Sequence, residues 1–152
     1  MIVVLLLSLN NVFTNSWTKC KYMFADFILQ QEIESAMNRI VSDARIAYKV
    51  DMSDGRLRFK QHTMTEFDKL KDRDSGFKPW YMLKIGSIYH NGESSPITGG
   101  SFASAVVVRK FDYHQIPNHP KLLYIKIEAE SLITNHRITL TTVVFMRGLQ
   151  DE

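Results

Sequence analysis

Side chains able to do chemistry are sparse in this chain, and their spacing argues against a catalytic centre. Five histidines stand at His62, His90, His114, His119 and His136. A zinc site wants closely spaced ligands on a rigid element, such as two His on adjacent helix turns. No pair here has that form: His114 and His119 flank a proline turn, and His136 follows Thr134-Asn135 in what reads as another turn. All five are read as surface or loop histidines. Glu66, Asp68, Asp72 and Asp74 could share acid/base work, but they are interleaved with Lys69, Lys71 and Arg73. A working carboxylate pair needs an apolar setting to split its two pKa values, so a solvated segment is expected instead. No Ser lies in a Gly-x-Ser-x-Gly elbow, and Gly99-Gly100-Ser101 is a lone glycine pair with no helix behind it. No metal, cofactor or small-molecule substrate is implied, and no enzyme is expected.

Cys20 is the single cysteine, which excludes an intramolecular disulfide framework and any zinc site built on paired cysteines. Lys19 and Lys21 could lower its thiol pKa. The preferred reading makes Cys20 a helix residue near a membrane surface, with Lys19 and Lys21 as interfacial cations. Arg56, Arg58 and Lys60 form one short basic stripe, and Lys78, Trp80 and Tyr81 lie in another segment. Basic residues mixed with aromatics can bind single-stranded nucleic acid. Alternating Arg on a strand is more often the wet face of a sheet, so nucleic acid is not the favoured partner. The formal net charge of +3 is too small to change that reading.

The elements that would hold these residues begin with an apolar run. The chain has 152 residues, 45% hydrophobic and 23% charged, enough for one domain with a buried core. Met1-Ile2-Val3-Val4-Leu5-Leu6-Leu7-Ser8-Leu9 is nearly unbroken hydrocarbon before Asn10-Asn11. A membrane-spanning helix needs about 20 such residues, so nine are too few. A signal peptide would start with positive charge and end at a small-residue cleavage site; neither is present. From Val12 to Val50 there is no Gly and no Pro, so nothing must break a helix. Phe24, Phe27/Ile28, Ile33, Met37, Ile40, Ala44 and Ala47/Tyr48 recur at three or four residues, the spacing of one helical face. Gln30, Gln31, Glu34, Asn38, Ser42, Arg45 and Lys49 are assigned to the other. A helix from Met1 to Lys49 would be about 70 Å long at 1.5 Å per residue, longer than a domain of this size is wide. It must project, with an apolar tip (1–9) and an amphipathic base (24–50).

This segment resembles a known family. Met1-Ile2-Val3-Val4-Leu5-Leu6-Leu7 looks like the stretch that directly follows the Gly-Phe-Thr-Leu-Ile-Glu signature of type IV prepilins. Gln30-Gln31-Glu32-Ile33 through Ile40-Val41-Ser42-Asp43-Ala44-Arg45 resembles the base of the helix in minor pilins and pseudopilins. Leu140-Thr141-Thr142-Val143-Val144-Phe145-Met146-Arg147 is similar to the last strand many of them carry. The leader, the processing-site Gly, the following Phe and the nearby Glu have no counterpart here, so their roles in cleavage and subunit registration are not carried over. A start codon assigned too far downstream, or a truncated copy, would account for that. Translating the DNA upstream of Met1 in frame is the discriminating observation: a short basic leader with a Gly-Phe-Thr-Leu-Ile-Glu-like block favours a filament subunit, and a charged leader without that block favours a membrane-tethered module.

The resemblance implies a structural subunit of a type IV pilus, type II secretion or competence-type filament. Its partners would be other pilin or pseudopilin subunits, and the inner membrane before assembly. Its place would be the cell envelope, membrane-anchored and extracytoplasmic. Met1, Ile2, Val3, Val4, Leu5, Leu6, Leu7 and Leu9 would supply the membrane and filament-core contact. Asn10, Asn11, Asn15 and Ser16 are polar for a repetitive shaft, which favours a minor component. The competing expectation is an exported, membrane-tethered binding module with its ligand site in the loops Asn91–Gly100 and Pro117–Pro120.

Residues 51–152 read as an antiparallel sheet head. Asp51-Met52-Ser53-Asp54-Gly55 ends the helix with a hairpin-type turn. Leu57 and Phe59 alternate with Arg56, Arg58 and Lys60 as in a half-buried strand. Thr63–Gly76 is expected to be a solvated loop with a short helix around Phe67 and Leu70. Trp80–Ile85 and Ile88–His90 are expected strands bending at Gly86-Ser87. Ser104–Tyr113 pairs with Leu122–Glu130, and two prolines in Ile116–Pro120 are expected to stop the ladder between them. In the last strand, Ile138–Met146, Ile138, Leu140, Thr142, Val144 and Met146 share one side. The expected fold is α+β: a long N-terminal helix whose base, from about Phe27, covers an antiparallel sheet of roughly four to six strands.

Overall fold

The computed structural model describes residues 2–61, 79–92, 96–99 and 105–147. Helix α1 runs Ile2–Ile46, about 68 Å at 1.5 Å per residue. Strands β1 (Ala47–Asp51), β2 (Arg56–Gln61), β3 (Trp80–Lys84), β4 (Ser87–His90), β5 (Val106–Ile116), β6 (His119–Ser131) and β7 (Arg137–Phe145) follow. The class is α+β, with every strand pair antiparallel.

The helix stops at Ile46, before the expected end near Lys49. Carbonyls of its last turn need partners from outside the helix, and two get them: Gln61 Nε2 donates to the Asp43 carbonyl at 3.2 Å, and the Arg147 N–H donates to that of Arg45 at 3.1 Å. The next five residues pair with β2 instead, Val50 opposite Phe59 and Asp51 opposite Arg58. Asp54 and Gly55 then take φ of 56° and 66°, as a turn that matches strand twist requires.

The single sheet of four to six strands is corrected to two sheets, β1-β2-β3-β4 and β5-β6-β7. They meet where the turn between β3 and β4 reaches β5, through the Val108 N–H donating to the Gly86 carbonyl at 2.8 Å. That turn bends at Ile85-Gly86, with φ of 49° and 73°, one residue earlier than expected. A Cβ on Gly86 would stand 2.9 Å from Val107 Cγ1. Only glycine therefore satisfies both the turn and the approach of the second sheet.

The prolines do not stop the β5–β6 ladder. It runs to Ile116 opposite His119, closed by Pro117-Asn118 with Asn118 at φ 65°. Proline fixes the first central residue of such a turn and Asn tolerates the second. Pro120, which lacks an N–H, sits beside a register shift and offers its carbonyl to Gln115 Nε2 at 2.8 Å. A second shift between Val108 and Lys110 changes strand parity. Val106 and Val108 are buried before it, and Phe111 and Tyr113 pack on the core after it.

The core lies between α1 and the sheets. Leu29, Ile33, Ile40 and Ala44 from the helix meet Leu57, Phe59, Tyr81, Leu123, Ile125, Ile127 and Met146. Along β7, Ile138, Leu140, Thr142, Val144 and Met146 face inward as their alternation predicts, and the residues between them are exposed.

Candidate functional site

The surface with no partner in the fold is the first half of α1. Residues 3–24 are all exposed, and burial begins at Ala25. Val3, Val4, Leu5, Leu6, Leu7 and Leu9 each keep more than half of their surface in water, and Lys19, Cys20 and Lys21 are exposed beyond them. Met1 and the side chain of Ile2 lie outside the described residues. Among the described residues no helix is long and apolar enough to cross a membrane. The reason is local: Asn10, Asn11, Asn15 and Ser16 follow the apolar tip within two turns.

Two apolar stripes run along α1 on opposite sides. The buried one is Ala25, Leu29, Ile33, Ala36/Met37, Ile40 and Ala44. The expected buried face included Phe24 and Phe27, and the structure corrects this: they are 63% and 60% exposed. Phe24 precedes Ile33 by nine residues, about two and a half turns at 3.6 residues per turn, so it must point away from the sheet. Phe13 and Trp17 are exposed on that same outer side, 70% and 69%. The short intervals between apolar residues suggested one face; angular bookkeeping from Ile33 separates two.

Polar ties hold the helix base rigidly to the head. Thr134 Oγ1 donates to Asp26, whose other oxygen lies 3.5 Å from His136 Nδ1. The Gly99 N–H donates to Glu32 Oε2 at 2.8 Å. Arg39 reaches His90 Nδ1 at 3.2 Å, and the Tyr81 hydroxyl donates to Asp43. Burial, reinforced by the Asp43 carboxylate, pushes the Tyr81 phenol far above its ordinary range. Burial and then the Arg39 charge push the His90 imidazole down. A neutral Nδ1 accepting from Arg39 fits that direction. These ties join residues far apart in the chain, and no local motif announces them. Together they turn the exposed half of α1 into a rod on a fixed base.

Elsewhere the candidate residues remain apart. His62, Glu66, Asp68, Asp72, Asp74, Lys78, Gly100, Ser101 and the Thr63–Gly76 segment lie outside the described residues. His114 stacks on Tyr124 in the outer face of β5–β6, and His119 is exposed at the hairpin turn. Among the described residues no three His, Cys, Asp or Glu side chains converge on a metal-sized site. In the basic stripe, Arg58 pairs with Asp51 at 3.1 Å and Asp54 at 3.4 Å. Arg56 covers the Trp80 ring at 5.0 Å and Lys60 the Tyr48 ring at 5.8 Å. These cations are used within the fold. Glu130, nearly buried, is gripped by Arg109 and, at 2.9 Å, by Arg137. The Arg109 hydrogen bond leads in holding its carboxyl below the usual range. Beside the Pro117–Pro120 turn, Asn118, His119, Lys121, Leu122 and Phe145 line an open crevice of about 400 Å³. Of the loop Asn91–Gly100, residues 93–95 also lie outside the described set. Comparison with protein-family models, curated proteins and solved structures finds no match to this chain.

Proposed function

We propose that this chain is a structural subunit, a minor pilin or pseudopilin of a type IV pilus, type II secretion or competence-type filament. It assembles through the apolar end of α1 and carries out no catalysis. One observation carries the reading: a 45-residue helix seated on its head only from Ala25 onward, with residues 3–24 exposed on every side. Removing the six large apolar side chains of Val3–Leu9 from water is worth on the order of 10 kcal/mol. That is ample to hold the tip in a bilayer, and then in a bundle of like helices, without any specific contact. Lys19 lies ten residues past Leu9, about 15 Å along the axis, where a cation can sit at the headgroups while the tip stays in hydrocarbon. Asn10, Asn11, Asn15 and Ser16 are costly in a long repetitive core, which favours a low-copy place in the filament.

The test is to shear surface filaments from the source cells, purify them, and probe with an antibody against the head. The chain should co-purify at low copy relative to a major subunit. Recovery in washed membranes alone, with filaments of normal composition, would refute the filament reading. It would favour the tethered binding module, whose support is the crevice beside Pro117–Pro120.

A further inference from the structure

Among the exposed apolar residues of α1, the rings Phe13, Trp17, Phe24 and Phe27 fall on one seam, while Val12, Tyr22 and Met23 lie off it. In heptad terms Asn10, Trp17 and Phe24 hold the a positions and Phe13, Cys20 and Phe27 the d positions, and Val3 and Leu6 continue the series toward the tip. The intervals alternate between three and four over eight positions, and the next place, Gln31, is polar. A 3.5-residue repeat keeps one seam of a helix against another helix in a left-handed coil. The seam lies opposite the sheet-packed stripe, and the head comes beside it at Phe24, which borders a crevice with Ala105, Val106, Ser131 and Ile133.

We propose that this seam pairs α1, parallel and in register, with α1 of a second copy of this chain. The pairing goes beyond the filament reading and stands on the helix pattern without it. Past the apolar tip lipid is a poor occupant, because Asn11, Asn15, Thr18 and Lys19 share these turns on the other side and lipid surrounds a helix completely. A partner helix covers the stripe and leaves those groups in water. The second copy fits best because Asn10 is self-complementary. In a parallel, in-register pair the two Asn10 amides meet and bond to each other, the device that sets register and strand number in such coils. At the flanking positions Ser16 faces Lys21 of the second copy, so no like charges are opposed, and Ile28 below them packs on its own head. The Thr18 hydroxyl already donates to the Thr14 carbonyl at 2.9 Å, and that of Thr14 to the Asn10 carbonyl, leaving neither donor unmet. Covering the four rings with Val3, Leu6 and Cys20 removes about 1,500 Å² over two copies, using ~200 Å² for an aromatic side chain. A stable dimer buries about 1,200–2,000 Å².

Cys20 makes the test direct, because a parallel pair sets the two d-position thiols face to face. The full-length chain in detergent micelles is oxidised by dissolved dioxygen with a copper catalyst, across a hundredfold dilution series. A covalent dimer should form through Cys20 with a yield that survives dilution, and the reduced chain should sediment as a dimer. Trp17→Ala with Phe13→Ala should lower the yield at least tenfold, with the head's thermal unfolding unchanged because both rings lie well ahead of Ala25, where burial against the head begins. Moving the thiol to the far side, Cys20→Ser with Asn15→Cys, should abolish cross-linking. A sedimenting monomer, a higher oligomer, equal cross-linking from Asn15→Cys, or indifference to the double alanine change each overturns the proposal. Every arm uses the unassembled chain, so absence from sheared filaments leaves this result standing, and the reverse also holds.

Discussion

Glu130 is the residue whose ionisation the head uses most directly. Its carboxylate is nearly buried between Arg109 and Arg137, and the Arg109 hydrogen bond leads in lowering its pKa. A carboxyl with a lowered folded-state pKa contributes stability that is present above its unfolded value and lost as pH falls through the folded value. Glu130→Gln should therefore flatten the fall in melting temperature below about pH 4.5, the ordinary Glu range. An acid limb unchanged by the substitution would show that the arginine pair carries none of the pH dependence. Tyr81 acts at the other extreme. Its pKa is raised on folding by burial and Asp43, so its contribution is intact below about pH 10 and is lost as pH rises further. Neither role is legible from sequence neighbours, since Asp43 and Tyr81 are 38 positions apart and Arg109 and Glu130 are 21 apart.

At the scale of elements, α1 carries two stripes with different consequences. Leu29 is fully buried and Phe24 is 63% exposed. Leu29→Ala should destabilise the head by about 2–5 kcal/mol, as deletion of a packed leucine does. Phe24→Ala should change it by less than about 0.5 kcal/mol, as at an exposed site. Urea unfolding of the two variants decides between this assignment and the one that put Phe24 against the sheet. The two sheets depend on Gly86 in a similar way. Gly86→Ala adds a Cβ 2.9 Å from Val107 Cγ1 at a φ of 73°, and should cost about 1–3 kcal/mol through strain at that turn. A stability equal to the parent's would mean that β5 can withdraw from the turn freely. The alternating patterns of β2, β6 and β7 were legible because period two is local. The split into two sheets was not, because it depends on how the β3–β4 turn, bare at Gly86, meets β5 through residues distant in the chain.

The whole molecule is a head with a rod projecting from it, and the two should separate energetically. Residues 3–24 are all exposed, with Lys21 and Phe24 bordering a crevice on the head, so a chain starting at Met23 should unfold cooperatively within about 4 °C of the full-length melting temperature. On the function proposed above, it should also fail to bind vesicles that the full-length chain binds. A fall of tens of degrees would mean that the rod supports the head's fold. The amino-acid order alone determined that a long helix comes first, that its tip is hydrocarbon, and that antiparallel strands follow. Each rests on local periodicity and on where Gly and Pro occur. Tertiary structure decided which side of the helix is buried, where the helix ends, and that the strands form two sheets. Those outcomes depend on partners distant in sequence: the strands that select one helical stripe, the Gln61 and Arg147 groups that take its last carbonyls, and the Val107 side chain that needs Gly86 bare.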